Sequence, residues 1–193
     1  MHSEMLPKIP AKLTGTDGRV IWITGLSGAG KSTLATEVVR RLRASGVAAI
    51  LLDGDALREV FGITAENSKN HKREARLFLA FQYARLGRIL ARQGLTVVIA
   101  TICLFREIHT WNRQNLPGYF EIYLRVPIEE LRRRDTKGLY RRFDAGELSD
   151  VAGLDLPIDE PAAPDSLIEF DPSRSVDEVA REVMIDLEGK FST

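Results

Sequence analysis

Val20-Ile21-Trp22-Ile23-Thr24-Gly25-Leu26-Ser27-Gly28-Ala29-Gly30-Lys31-Ser32 is an apolar run that breaks into glycines and ends on a lysine and a serine. VIWIT, at 20–24, is apolar on both of its alternating faces. That predicts a strand covered on both sides, as in the middle of a parallel sheet. Gly25 to Ser32 matches G-x-x-x-x-G-K-[ST], the phosphate-binding loop or P-loop, placed between that strand and a helix predicted from Lys31 to about Ala44. Glycines let backbone N–H groups curl around phosphate oxygens, and the helix N-terminus adds a favourable dipole. Gly25, Ser27, Gly28, Ala29, Gly30, Lys31, Ser32 and Thr33 are therefore the candidate nucleotide-phosphate-binding residues. Lys31 can reach the β- and γ-phosphates, and the Ser32 hydroxyl can ligate Mg²⁺. A turn that only joined strand to helix would need neither.

Outward from this stretch, short apolar runs alternate with helical patterns, which predicts an α/β fold with a five-stranded parallel sheet in three layers. Further strands are predicted at Val47–Leu52, Leu95–Ile102, Tyr119–Val126 and Ser166–Phe170. Helices are predicted from about Asn70 to Gln93, where Leu79, Tyr83, Leu86 and Leu90 form a stripe, and at Phe105–Asn115, Pro127–Arg134 and Ser175–Glu188. The last opens on Ser175 and Glu178 in the S-x-x-E capping pattern. Residues 135–165 contain no long periodic segment. With 193 residues, one domain over 19–193 behind a loose arm at 1–18 is expected.

Composition narrows the function classes. Lys and Arg number 27, as do Asp and Glu, so the net charge is zero and the usual electrostatic case for a nucleic-acid or membrane-surface partner is missing. A single cysteine, Cys103, excludes an intramolecular disulfide and suits a reducing compartment. No apolar run of signal-peptide length opens the chain, so a cytoplasmic location is expected. His2, His71 and His109 lack metal-ligand spacing.

A P-loop alone does not separate GTPase from ATPase or kinase. No guanine-reading N-K-x-D occurs, and the D-x-x-G at 150–153 lies in the irregular region. The strand ending at Thr101-Ile102 carries no carboxylate. Carboxylates come instead from Asp53-Gly54-Asp55, at the carboxyl end of the second strand, where ligands of open α/β sheets sit. One can hold Mg²⁺ through water while the other accepts a proton from an attacking hydroxyl. The alternative for Asp55 is an N-cap of the turn beginning Ala56-Leu57-Arg58. Residues 132–142 then hold six positive charges against one negative, and 144–165 seven acidic groups and no basic one. Arg132 and Arg133 read as a solvated face. Arg134 and Lys137 suit a mobile lid over the transferring phosphate.

Taken together, GLSGAGKST (25–33), LDGDALR (52–58), LFR (104–106), RRDTKGLYRR (133–142) and GLDLPIDEP (153–161) resemble the adenylylsulfate kinase (APS kinase) family. The resemblance implies a three-layer P-loop kinase fold and a dimeric, Mg²⁺-dependent enzyme of sulfate assimilation. That enzyme would move the γ-phosphoryl group of ATP to the ribose 3′-hydroxyl of adenylyl sulfate. It also implies Asp55 as the base, Lys137 as the lid cation, Arg134 near ATP, Ser32 and Asp53 at the metal, and Arg58, Phe61, Ile102 and Arg106 on the acceptor side. Where the family has E-N-I-R-R on the long helix, an ungapped reading gives Phe78-Leu79-Ala80-Phe81-Gln82, and Val151 stands where an aromatic usually stacks on the acceptor base. These departures are similar to a branch acting on another nucleotide, such as cytidine diphosphoramidate in surface-polysaccharide modification. Phe78, Phe81 and Arg85, on one helical face, are then candidates to stack on a smaller base, with core packing as the alternative reading of the two aromatics.

Overall fold

Strand β1 (Arg19–Gly25) is central because its side chains are apolar in both directions: Val20 and Trp22 enter one core, Ile21 and Ile23 the other. The computed structural model describes residues 18–62 and 73–191. Within it, β1 pairs in parallel with β3 (Thr96–Ala100) on one side and β4 (Phe120–Arg125) on the other. The flanks are β2 (Ala49–Asp53) and β5 (Ser166–Glu169), giving the order β2-β3-β1-β4-β5, all parallel. This is the expected α/β sheet, with strand ends displaced by a few residues from their predicted positions.

Helix α1 (Lys31–Ala44) and the C-terminal helix α7 (Val176–Phe191, numbered last) cover one face, burying Leu34, Val38 and Leu42 against Val183 and Leu187. On the other face lie α3 (Arg73–Ala91) and α4 (Arg106–Asn115), which close over Trp22 and Ile99 through Tyr83, Ala84 and Ile108. Gly87 lets α3 lie flush on the sheet, since a Cβ there would stand 2.7 Å from the Ile99 side chain. The capping box at α7 forms as the spelling predicts: Ser175 N–H donates to Glu178 at 2.7 Å, and Glu178 N–H to the Ser175 hydroxyl at 3.3 Å.

Two short helices are additions to the predicted set. α2 (Gly54–Val60) follows β2 directly, and α6 (Leu139–Asp144) interrupts the stretch expected to be irregular, after α5 (Ile128–Arg134). Six or seven residues are too few to show a 3.6-residue period, so neither is legible as an amphipathic pattern. Asp135 holds α6, accepting from the N–H groups of Tyr140 and Arg141, each at 3.0 Å. Residues 1–17 of the expected arm, His2, His71 and the expected start of the long helix at 70–72 lie outside the described residues. Among the described residues, no helix is long and apolar enough to cross a membrane.

Candidate active site

At the carboxyl end of β1 the chain turns through Gly25, Gly28 and Gly30, whose φ angles of 152°, 80° and 96° suit glycine. Gly25 also has no room for a side chain, because a Cβ would stand 2.7 Å from the Leu124 carbonyl oxygen on β4. The loop is braced from outside. Tyr140 of α6, 2% exposed, donates its hydroxyl to the Ser27 carbonyl at 2.9 Å. Arg134 of α5 donates to the Gly28 carbonyl at 3.2 Å, with its guanidinium 4.8 Å from the centre of the Phe170 ring. Lys31 donates from Nζ to the Leu26 carbonyl at 2.7 Å. Although part of its side chain meets solvent, its ammonium lies among protein atoms. Loss of hydration lowers its pKa from 10.5 to about 7, with Lys137 and Arg58 adding to the fall and Asp53 opposing it.

The carboxylates divide their work differently from the capping alternative considered for Asp55. Asp53 is the N-cap of α2, accepting from the Asp55 N–H at 2.9 Å, so the cap lies two residues earlier than that alternative has it. The preference follows from register: Asp53 is the last residue of β2 and still extended, as an N-cap must be. Its other oxygen accepts from the Ser32 hydroxyl at 2.5 Å. Freed from capping, Asp55 is held on one oxygen by Arg58 and on the other by Lys137, which comes from the turn between α5 and α6. Lys31, Ser32, Asp53, Asp55, Arg58 and Lys137 thus stand together at one end of the sheet.

On the acceptor side the expectations separate. The Ile102 carbonyl accepts from the Thr24 hydroxyl, tying β1 to the chain after β3. Arg106, at the head of α4, has an exposed side chain. Phe61, 42% exposed, closes α2 with its ring 5.9 Å from that of Tyr83. Phe81 instead meets Trp111 of α4 edge-on at 5.8 Å, and Arg85 lies 5.7 Å over its face. Phe81 is therefore part of the α3–α4 contact, with Arg85 lying over it, and is not a free stacking platform, which corrects that expectation. Phe78, by contrast, is 62% exposed, so the core alternative fails for it. Cys103 is buried beside Thr101, and burial raises its thiol pKa to about 11, so it has the properties of a small packed residue.

Arg76, which the sequence reading did not single out, enters this region from the first turns of α3. It is half-buried and donates to the Asp150 carbonyl at 2.6 Å. Arg58 is near enough that its charge, after burial, helps to lower the Arg76 pKa. A helix-borne cation is therefore present two residues before the ungapped window at 78–82. The signal was available: Arg73 and Arg76 are spaced i, i+3 on the long helix. Phe170 has no local sequence cue, and Tyr140 stands in the sequence only as part of the RRDTKGLYRR stretch.

The adenylylsulphate kinase family profile matches residues 17–169. The cytidine diphosphoramidate kinase of Campylobacter jejuni is 38% identical over 144 residues, covering 75% of this chain and 82% of that protein. An adenylyl-sulfate kinase of Picosynechococcus is 37% identical over 148 residues, covering 77% and 81%. The solved APS kinase of Mycobacterium tuberculosis, in complex with AMPPNP and APS, superposes with a TM-score of 0.80 at 33% identity and covers 89% of this chain and 98% of that one.

Proposed function

This chain belongs to the adenylylsulphate kinase family, and from that premise we propose that it transfers the γ-phosphoryl group of ATP to the ribose 3′-hydroxyl of a small nucleotide. It is a phosphotransferase that acts on a hydroxyl group. The observation that carries the finer reading is the Lys137–Asp55–Arg58 cluster standing beside a complete P-loop. The acceptor oxygen forms its bond to the γ-phosphorus as the bond to the β–γ bridging oxygen breaks, ADP leaves, and the hydroxyl proton passes to Asp55. Lys31 and Lys137 supply positive charge to the transferring group, and Arg134, bonded to the Gly28 carbonyl of the P-loop, stands near ATP.

Ser32 and Asp53 offer two hard oxygen donors one hydrogen bond apart, a set that fits Mg²⁺, which binds few carboxylates and retains waters. Bound there, the ion would neutralise charge on the phosphates of ATP. The reading further includes a single catalytic domain over 19–193, an arm at 1–18 outside the chemistry, a lid over 135–165, a homodimer and a cytoplasmic location.

For the acceptor, we favour a nucleotide of the cytidine diphosphoramidate type. Val151 is buried and offers no aromatic face to the adenine of adenylyl sulfate, whereas Phe78 stays exposed on α3 and open to a smaller base. Adenylyl sulfate remains the second reading, because Arg76 supplies the helix-borne cation that the ungapped alignment omits. Loss of the stacking aromatic and of the family's helix Asn costs about 1–3 kcal/mol each once desolvated. That amounts to about a hundredfold in kcat/KM. Steady-state kinetics with each acceptor are the test. Cytidine diphosphoramidate should be preferred by about that factor. Equal or better turnover of adenylyl sulfate would establish the second reading instead.

A further inference from the structure

Glu121 lies on β4, 3% exposed, and belongs to none of the chemistry above. Its carboxylate accepts from the Tyr119 hydroxyl at 2.8 Å and from Arg113 at 3.1 Å, and one oxygen lies 2.7 Å from Nδ1 of His109. The opposite ring nitrogen, Nε2, lies 3.2 Å from the Asp159 carbonyl. His109 therefore spans from a buried carboxyl group on β4 to one residue of the segment 150–161.

Asp159 is the residue by which that segment is fastened. Its N–H donates to the Leu104 carbonyl at 3.0 Å, and its carboxylate accepts from the Arg106 N–H at 3.1 Å, capping α4. The same carboxylate lies 3.5 Å from Arg73 of α3. Elsewhere the segment touches the site directly. A Cβ on Gly153 would stand 2.8 Å from Leu26 of the P-loop, and the Asp150 carbonyl takes the hydrogen bond from Arg76. The segment is thus one wall of the acceptor side, and Asp159 ties it to the head of α4, from which Arg106 projects.

We propose that His109 is a positioning residue: it hangs the acceptor wall from buried Glu121 and so sets acceptor affinity without acting on the donor. The effect on acceptor affinity rests on the nucleotide-kinase reading. The strut itself does not.

The test compares two full-length variants that each remove one partner of the same carboxylate. His109→Ala cuts the link to Asp159. Tyr119→Phe removes the hydroxyl that donates to Glu121 and accepts from Asn112, and leaves that link. Hydrogen–deuterium exchange on the free protein reads the strut, with residues 150–161 expected to exchange about tenfold faster in His109→Ala and near the wild-type rate in Tyr119→Phe. With cytidine diphosphoramidate as acceptor, His109→Ala should raise the acceptor KM about tenfold and leave kcat and the ATP KM within about twofold. Should the alanine variant not fold, His109→Asn keeps a polar group beside Glu121 but is too short to reach Asp159, and the same result is expected. Unchanged exchange in the His109 variant, equal loosening in Tyr119→Phe, or a parallel rise in both KM values would overturn the proposal. If the wild type turns over no acceptor, the functional reading fails, and the exchange data still decide the strut.

Discussion

Lys31→Ala is expected to lower kcat by about a thousandfold while the protein stays folded, the magnitude seen when one preorganised donor to a developing anion is removed. The geometry explains why so much depends on one ammonium. Its stem starts at the first residue of α1, so the charge is delivered over the loop, where it donates to the Leu26 carbonyl. Burial and the nearby cations Lys137 and Arg58 hold its pKa down to about 7, whereas a triphosphate in the loop would stabilise the charged form. Charge that is already desolvated and aimed acts most strongly on the transition state, so the loss should fall mainly on kcat. ADP release coupled to a reporter enzyme, with circular dichroism to establish folding, is the measurement. A folded variant turning over at the wild-type rate would remove the P-loop from the chemistry.

Asp55→Asn should depress kcat by about a hundredfold or more and leave the ATP KM within a few-fold, because the acceptor proton loses its destination. Asparagine keeps the size and one acceptor oxygen, so packing is conserved. Arg58 and Lys137 each lose half of an ion pair, but all three groups are well exposed, and such pairs contribute little to stability. Raising Mg²⁺ separates the roles. A base cannot be replaced by metal, so rescue is not expected, and full rescue would make Asp55 a metal ligand and shift the search for the base to Asp53.

How much of this was written locally in the chain differs from element to element. The central strand, the P-loop and α1 were legible because each signal is contiguous: an apolar run, a glycine spelling, a helix with a stop. Asp53 and Asp55 were located together but could not be told apart, since capping depends on where β2 stops being extended, and that is set by its pairing with β3. α6 was hidden because its hold is Asp135 behind it and Tyr140 docking on Ser27, a contact between residues 113 apart in sequence. The Phe78–Phe81–Arg85 face was read as a possible platform because periodicity gives the face but not what covers it. In three dimensions Trp111 covers Phe81. Arg76 escaped because the alignment by spacing looked for its charge at residues 78–82, whereas the helix carries it earlier.

The proposed phosphoryl transfer from ATP to the ribose hydroxyl of a nucleotide is best read as a balance of products. Wild-type enzyme is incubated with ATP, Mg²⁺ and either cytidine diphosphoramidate or adenylyl sulfate, and ADP and acceptor are followed together by mass spectrometry and phosphorus NMR. One ADP is expected for each acceptor molecule that gains a single phosphoryl group, with the new phosphorus signal coupled to the ribose 3′ proton. ADP appearing without a phosphorylated nucleotide, or no ADP with either acceptor, would contradict it.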